Sequence, residues 1–548
     1  MKKSSRYISL LLSLTCASAF AQDINKEITI EKEIVPEQRA ATRLAVPHTV
    51  ISPILQRPDL QFNLADRGVG IVPRFNPLMP ASTLPAVELS PYRGYAAIGY
   101  FPAYNLGVTA GYDFINNEKT ILGASVQFIG YNYNIERKDY QDETIKEKLK
   151  RSDATANIGL THYFNPGQSL DVNLDFGYGK VDVPYPNNFC DHKSLRLGLD
   201  ARWRSGSMTE FYTVGLRGGL INFDGDFWVG GHIPYMKETD FGADFGLNYG
   251  SLSIGIDGSF RRHGDFDTPG VGHVANSKLI SLVSAVPAYT FDNGDGTKVR
   301  FGAKVQYTGG SRGKFHVAPD VMIAVAPSST FAFLADIRGG EVMNSLADLY
   351  QITPFFSPHD AYLTSNIPVA ADLRFVVGPF SGASVEIFGG YAITKNWLMP
   401  DYDCTYTSCN LKGWHAGLKV AYSRGSWLDA SVSAELAPQK YNQGYYLWRD
   451  RAKSVISANV AVNPIKKLRL SAGYELRSGR GMYNSIYDNP LLIKMSSVNN
   501  LTFGAAYQIT PAFTVFGRGE NLLNHDNTLL FGIPSQGITG LIGVEAKF

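Results

Sequence analysis

From about Tyr92 to Phe548 the chain is built of segments in which apolar and polar residues alternate one for one. Leu170, Val172, Leu174, Phe176 and Tyr178 share one face of a strand, and Asp171, Asn173 and Asp175 share the other. The same period recurs in Leu195, Leu197, Leu199, Ala201 and Trp203 against Arg196, Asp200 and Arg202. It recurs again in Val299 to Tyr307 against Lys298, Arg300 and Lys304, and in Trp414 to Tyr422 against His415 and Lys419. Successive side chains of a strand point to opposite faces, so each segment has one greasy and one charged face. A soluble β-sandwich also buries one face. Here, however, charge repeats along the polar face, and the apolar face often ends in Trp or Tyr. Apolar-out, polar-in strands with aromatic girdles are the pattern of an outer-membrane barrel. The expected fold class is therefore all-β, a transmembrane antiparallel β-barrel.

Composition removes the other classes. Aromatics are 12% of the 548 residues and the net charge is +2, which does not suit a disordered chain. After residue 21 no apolar run approaches the ~20 residues that a membrane-spanning helix needs. No basic patch stands out to meet nucleic acid. Lys2, Lys3 and Arg6 precede an apolar stretch from Ile8 to Leu14, and Ala19-Phe20-Ala21 has the small-x-small pattern of a cleavage site. Residues 1–21 are thus expected to be a signal peptide. Residues 22–91 carry eight prolines from Pro47 to Pro91 and read as an extended periplasmic or lumen-filling segment. Residues 92–548 are the barrel.

The connections give the strand number. Short turns rich in Asn, Gly and Pro fall at 116–118, 165–167, 205–207, 249–250, 293–296, 327–329, 379–382, 424–426, 464–466 and 510–512. Eleven mostly longer connections lie between them, one of them spanning about 340–365. Ten turns and eleven loops join 22 strands, and an even number places both barrel ends on the periplasmic side.

The last segment, Gly540 to Phe548, alternates and ends on an aromatic residue. Phe548 resembles the terminal signal by which barrels are handed to their insertion machinery. Phe516-Gly517-Arg518-Gly519-Glu520-Asn521-Leu522-Leu523-Asn524, then Gly532-Ile533-Pro534 and Phe548, resemble the closing hairpin of TonB-dependent receptors. That resemblance covers about the last 35 residues and implies a 22-strand barrel with a receptor or transport role. It also implies TonB or another periplasmic or surface protein as partner, besides outer-membrane lipid. Those receptors carry a plug ahead of the barrel. The roughly 70 proline-rich residues here show no such pattern, so the chain reads as apparently plugless. A lumen this wide then has to be filled by residues 22–90, crowded by inward charges and loops, or blocked by a partner.

No catalytic constellation emerges, and neither an enzyme activity nor a cofactor or metal is expected. Gly309-Gly310-Ser311-Arg312-Gly313 matches a nucleophile elbow in letters but lies between two strands rather than before a helix. Aromatic residues crowd the long loops: Trp228, Tyr235, Trp397, Tyr402, Tyr406, Tyr445, Tyr446 and Trp448. They are candidates for contact with a ligand or partner, or else members of the upper aromatic girdle. Cys404 and Cys409 are close enough in one loop for a disulfide, which would leave Cys190 unpaired; Cys190 bridging to one of them is the other arrangement. Leu197→Arg should impair assembly, whereas Arg196→Glu, facing the lumen, should be tolerated. The chain reads as a receptor- or transporter-like barrel of the outer membrane. Its rival is a non-transporting envelope scaffold anchored by the barrel.

Overall fold

The structure is a computed structural model that describes residues 92–548, apart from short stretches of the connections, the longest being 353–363. The expected signal peptide and the segment 22–91 lie outside the described residues. Twenty-two antiparallel strands form one closed sheet. The first nine are β1 (Gly94–Phe101), β2 (Asn105–Asn116), β3 (Thr120–Lys138), β4 (Thr144–Asn165), β5 (Gln168–Asp182), β6 (His192–Gly206), β7 (Glu210–Trp228), β8 (His232–Tyr249) and β9 (Leu252–His263). Then come β10 (Leu279–Asp292), β11 (Thr297–Gly309), β12 (Lys314–Ser328), β13 (Phe331–Met343), β14 (Thr364–Phe380), β15 (Ala383–Pro400) and β16 (Tyr406–Arg424). The last six are β17 (Leu428–Leu436, resuming as Gln439–Asn442), β18 (Ser454–Ile465), β19 (Leu468–Ser478), β20 (Val498–Thr510), β21 (Phe513–Glu520) and β22 (Thr539–Lys547). β22 pairs with β1 from Tyr95↔Lys547 to Tyr100↔Ile542, so no edge is left open.

All ten expected short turns lie at one end of the barrel. At Gly167 the chain turns with φ of 83°, and a Cβ there would overlap the Gly206 carbonyl, so only glycine fits. The two faces fall as the alternation predicts. Leu197 is 45% exposed and Phe301 57%, values that would be anomalous for so many large apolar side chains in water. On this barrel they form the band that meets lipid. Phe164 packs on Trp203 with centroids 5.1 Å apart near the short-turn end, where Tyr249, Phe380 and Trp427 are also exposed. These residues make the girdle at that interface.

Phe548 continues β22 by two backbone hydrogen bonds with Gly94, 2.7 and 2.9 Å, and its ring stacks on Tyr112 at 6.2 Å. At the other end of the seam Asn521 anchors the last long loop. Its amide donates to the carbonyls of His525 and Gln536, and Gln536 accepts from Asn105 at the start of β2.

Candidate functional site

The inner wall carries many charged side chains, and several are partnered with charges one or two strands away. Arg217 lies 2.5 Å from Asp257, Arg300 2.8 Å from Asp320, Arg374 3.0 Å from Glu386 and His415 3.1 Å from Asp372. Inward glycines such as Gly177, Gly198, Gly219 and Gly242 keep the wall thin. Among the described residues the result is a lumen cavity of about 2340 Å³.

One long connection enters that lumen. After β13 the chain forms a helix, α1 (Leu346–Ile352), whose apolar side lies on the inner face of β7. Ile221 and Phe223 face inward, since the alternate residues Leu216 and Val214 are among the exposed, lipid-facing ones. Leu346, Leu349 and Tyr350 cover them, leaving Phe223 and Leu346 at 0% exposure. Ala347 borders the cavity beneath. A seven-residue helix is well below the ~12–15 residues at which a helix begins to stand alone, so the wall holds it.

Two latches do so. At the N-terminus of α1, Ser345 Oγ accepts from the amides of Ala347 and Asp348 at 3.0 and 3.4 Å, the bonding of an N-cap. Buried Glu238 of β8 accepts from Leu346 N–H at 3.1 Å and from Ser345 Oγ at 3.1 Å. Arg261 Nε lies 3.3 Å and His263 Nε2 3.0 Å from the same carboxylate, within ion-pairing distance though off hydrogen-bonding alignment. At the far end, the Tyr350 hydroxyl donates to Asp153 Oδ1 at 2.7 Å. Its ring lies under the Arg196 guanidinium, 4.5 Å from the centroid, with His192 and Phe223 at 5.9 and 6.0 Å. Gly179 makes the room: a Cβ there would overlap the Tyr350 hydroxyl. Burial, and next to it the Asp153 carboxylate, push the Tyr350 phenol well above its ordinary pKa of 10.0.

This corrects two expectations. The connection 340–365 is not simply an outer loop, because its helix folds against the inner wall. Arg196 is not an interchangeable lumen charge, because it stacks on Tyr350. The sequence reading missed Ser345, Tyr350, Glu238 and Gly179. Ser345-Leu346-Ala347-Asp348 does carry a capping-box spacing, which is the one local signal for α1.

Of the aromatic candidates, only the side chain of Trp397 lies among the described residues. Trp228 and Tyr235 stand on the paired ends of β7 and β8, and Tyr406 opens β16 opposite Pro400, with their side chains outside the described residues. Trp397 is half-buried, with its Cα opposite Cys409. Trp448 belongs to a separate three-stranded sheet, where it pairs with Met482. Tyr402, Tyr445, Tyr446, Cys404 and Cys190 lie outside the described residues. Cys409 is buried. Gly309 ends β11 and Lys314 begins β12, so the Gly-Ser-Arg-Gly run connects two strands. Among the described residues no group of three or more His, Cys, Asp or Glu is placed to hold a metal ion.

The fold is a closed 22-strand antiparallel β-barrel that matches the architecture of outer-membrane receptor barrels. No protein-family model matches the chain, and no curated protein matches its sequence. Solved structures do match in fold, among them the TonB-dependent receptors OprC, PfeA and FrpB. The FrpB iron transporter from Neisseria meningitidis superposes with a TM-score of 0.63 at 10% identity, over 83% of this chain and 81% of that one. The copper transporter OprC gives 0.60 at 11% identity, over 83% and 80%. A ferric enterobactin receptor, PfeA, from Pseudomonas aeruginosa gives 0.62 at 11% identity, also over 83% and 80%. At such identity the likeness concerns the architecture.

Proposed function

We propose that the protein is a receptor- or transporter-like barrel of the outer membrane, serving substrate uptake or surface binding together with a partner protein. The observation that carries this reading is the lumen, a cavity of about 2340 Å³ inside a closed 22-strand wall. A barrel that served only as an anchor has no need of so large a space. The architecture shared with TonB-dependent receptors supports TonB, or a periplasmic protein in its place, as the partner that energises uptake. The second reading is a non-transporting envelope scaffold, favoured by one observation: α1 is docked on the wall at both ends, which suits a barrel kept narrow.

Liposome swelling with the purified full-length protein, together with identification of what co-purifies from membranes, separates the two. Solute entry, or entry on addition of a ligand, supports uptake. A barrel that stays sealed to every solute and co-purifies with envelope assembly proteins supports the scaffold.

A further inference from the structure

We propose that α1 is a displaceable gate, with Tyr350 as its tongue and Gly179 as the floor of its socket; the proposal rests on the uptake reading. The charged groups of the wall under α1 keep partners without it. Asp153 gives Tyr350 only Oδ1, while Oδ2 already lies 2.6 Å from Arg151 Nε. When Tyr350 leaves, Asp153 therefore keeps a counter-ion. Glu238 likewise keeps Arg261 and His263 when Leu346 and Ser345 withdraw. Arg196 loses a ring and regains water. None of these groups becomes a buried, unpaired charge, the outcome that makes most buried ion pairs irreplaceable. The apolar part of the contact is a small patch: Leu346, Leu349 and Tyr350 on Ile221 and Phe223.

The socket, in turn, is specific to the tongue. Glycine weakens a strand interior, and Gly179 sits three residues from the end of β5 in a regular pairing, Asp153↔Gly179 and Gly179↔Ser194. No turn or positive φ requires it there. What requires it is the Tyr350 hydroxyl, which occupies the place of the missing Cβ. A solute entering from the long-loop end meets α1 about 10 Å along β5 from that strand's end, counting three residues at ~3.3 Å each. Tyr350 in its socket narrows the lumen, and Tyr350 out of it widens the lumen.

The test uses the full-length protein in a background without native cysteines, with Ile221→Cys placed under α1. Labelling by a water-soluble maleimide reports displacement of the helix, and planar-bilayer conductance reports the path. Gly179→Val fills the socket with a good strand former. It should speed labelling at least tenfold and raise conductance, with heat-modifiable mobility on gels unchanged. If Gly179→Val does not fold, Tyr350→Ala removes the tongue from the loop side and carries the same two readouts. Unchanged labelling would mean that the socket does not hold α1. Faster labelling with unchanged conductance would mean that α1 does not gate the path. Either result overturns the proposal. The labelling readout needs no substrate, so failure of the uptake reading shows separately, as wild-type vesicles that take up no solute.

Discussion

An arginine at Leu197 should destabilise the barrel far more than one on the lumen side. Leu197 lies in β6 beside Phe176 of β5 and Leu220 of β7, all on the lipid face. It is six residues from Trp203 in the girdle near the short-turn end. At ~3.3 Å per residue that is about 20 Å along the strand. A strand tilt of about 40° reduces this to about 15 Å along the membrane normal, and half of the ~25 Å apolar band is about 12 Å. Leu197 is therefore close to the midplane, where Arg costs about 2–4 kcal/mol. That is a factor of about 30 to 700 in the folding equilibrium. Thr109, an inward residue of β2 bordering the lumen cavity, is the matched control and should accept Arg within about 0.5 kcal/mol. Urea titration of the protein folded in phospholipid vesicles measures both. Equal losses for Leu197→Arg and Thr109→Arg would refute the assignment of faces, as would a loss below about 1 kcal/mol at Leu197.

Three further outcomes are expected. Because the folded-state pKa of Tyr350 is raised, its neutral form adds to α1 docking in full below the ordinary value of 10.0, and that contribution is lost as pH rises toward the folded value. Conductance should thus increase as pH rises above 10, and Tyr350→Phe should remove the step. Deleting Phe548 removes two seam hydrogen bonds and a stacked ring, at about 0.5–1.5 kcal/mol each; the yield of heat-modifiable protein should fall, with Phe548→Tyr retaining it. Cys404 and Cys409 should be linked in mature protein, as read by peptide mapping without reductant, and free thiols at both positions would refute the pairing.

The barrel was legible because a two-residue period states a face at every position. Phe176, Leu197 and Trp414 needed no knowledge of their neighbours to be placed outward, since lipid accepts any large apolar side chain. Turn residues such as Asn165 and Gly167 were legible for the same local reason. The gate was not, because its logic is non-local. Gly179 means nothing until register sets it between Asp153 and Ser194, and until a residue 171 positions away is found above it. Arg196 read as one more lumen charge because alternation gives its side of the sheet and not what lies over it. A helix of seven residues is too short for its period to stand out, so only the Ser345 cap announced it. The aromatic loops were read by composition alone, which gives no positions for their side chains.

The claim on which everything else depends is that the chain closes as a barrel in the outer membrane. Electrophoresis of urea-washed outer membranes in mild detergent, with and without boiling, tests it most directly. A fast-migrating band in the unheated sample that shifts to the position of a full-length mature chain on boiling is the predicted result. Recovery of the protein as a soluble periplasmic species, with no shift on heating, would contradict it.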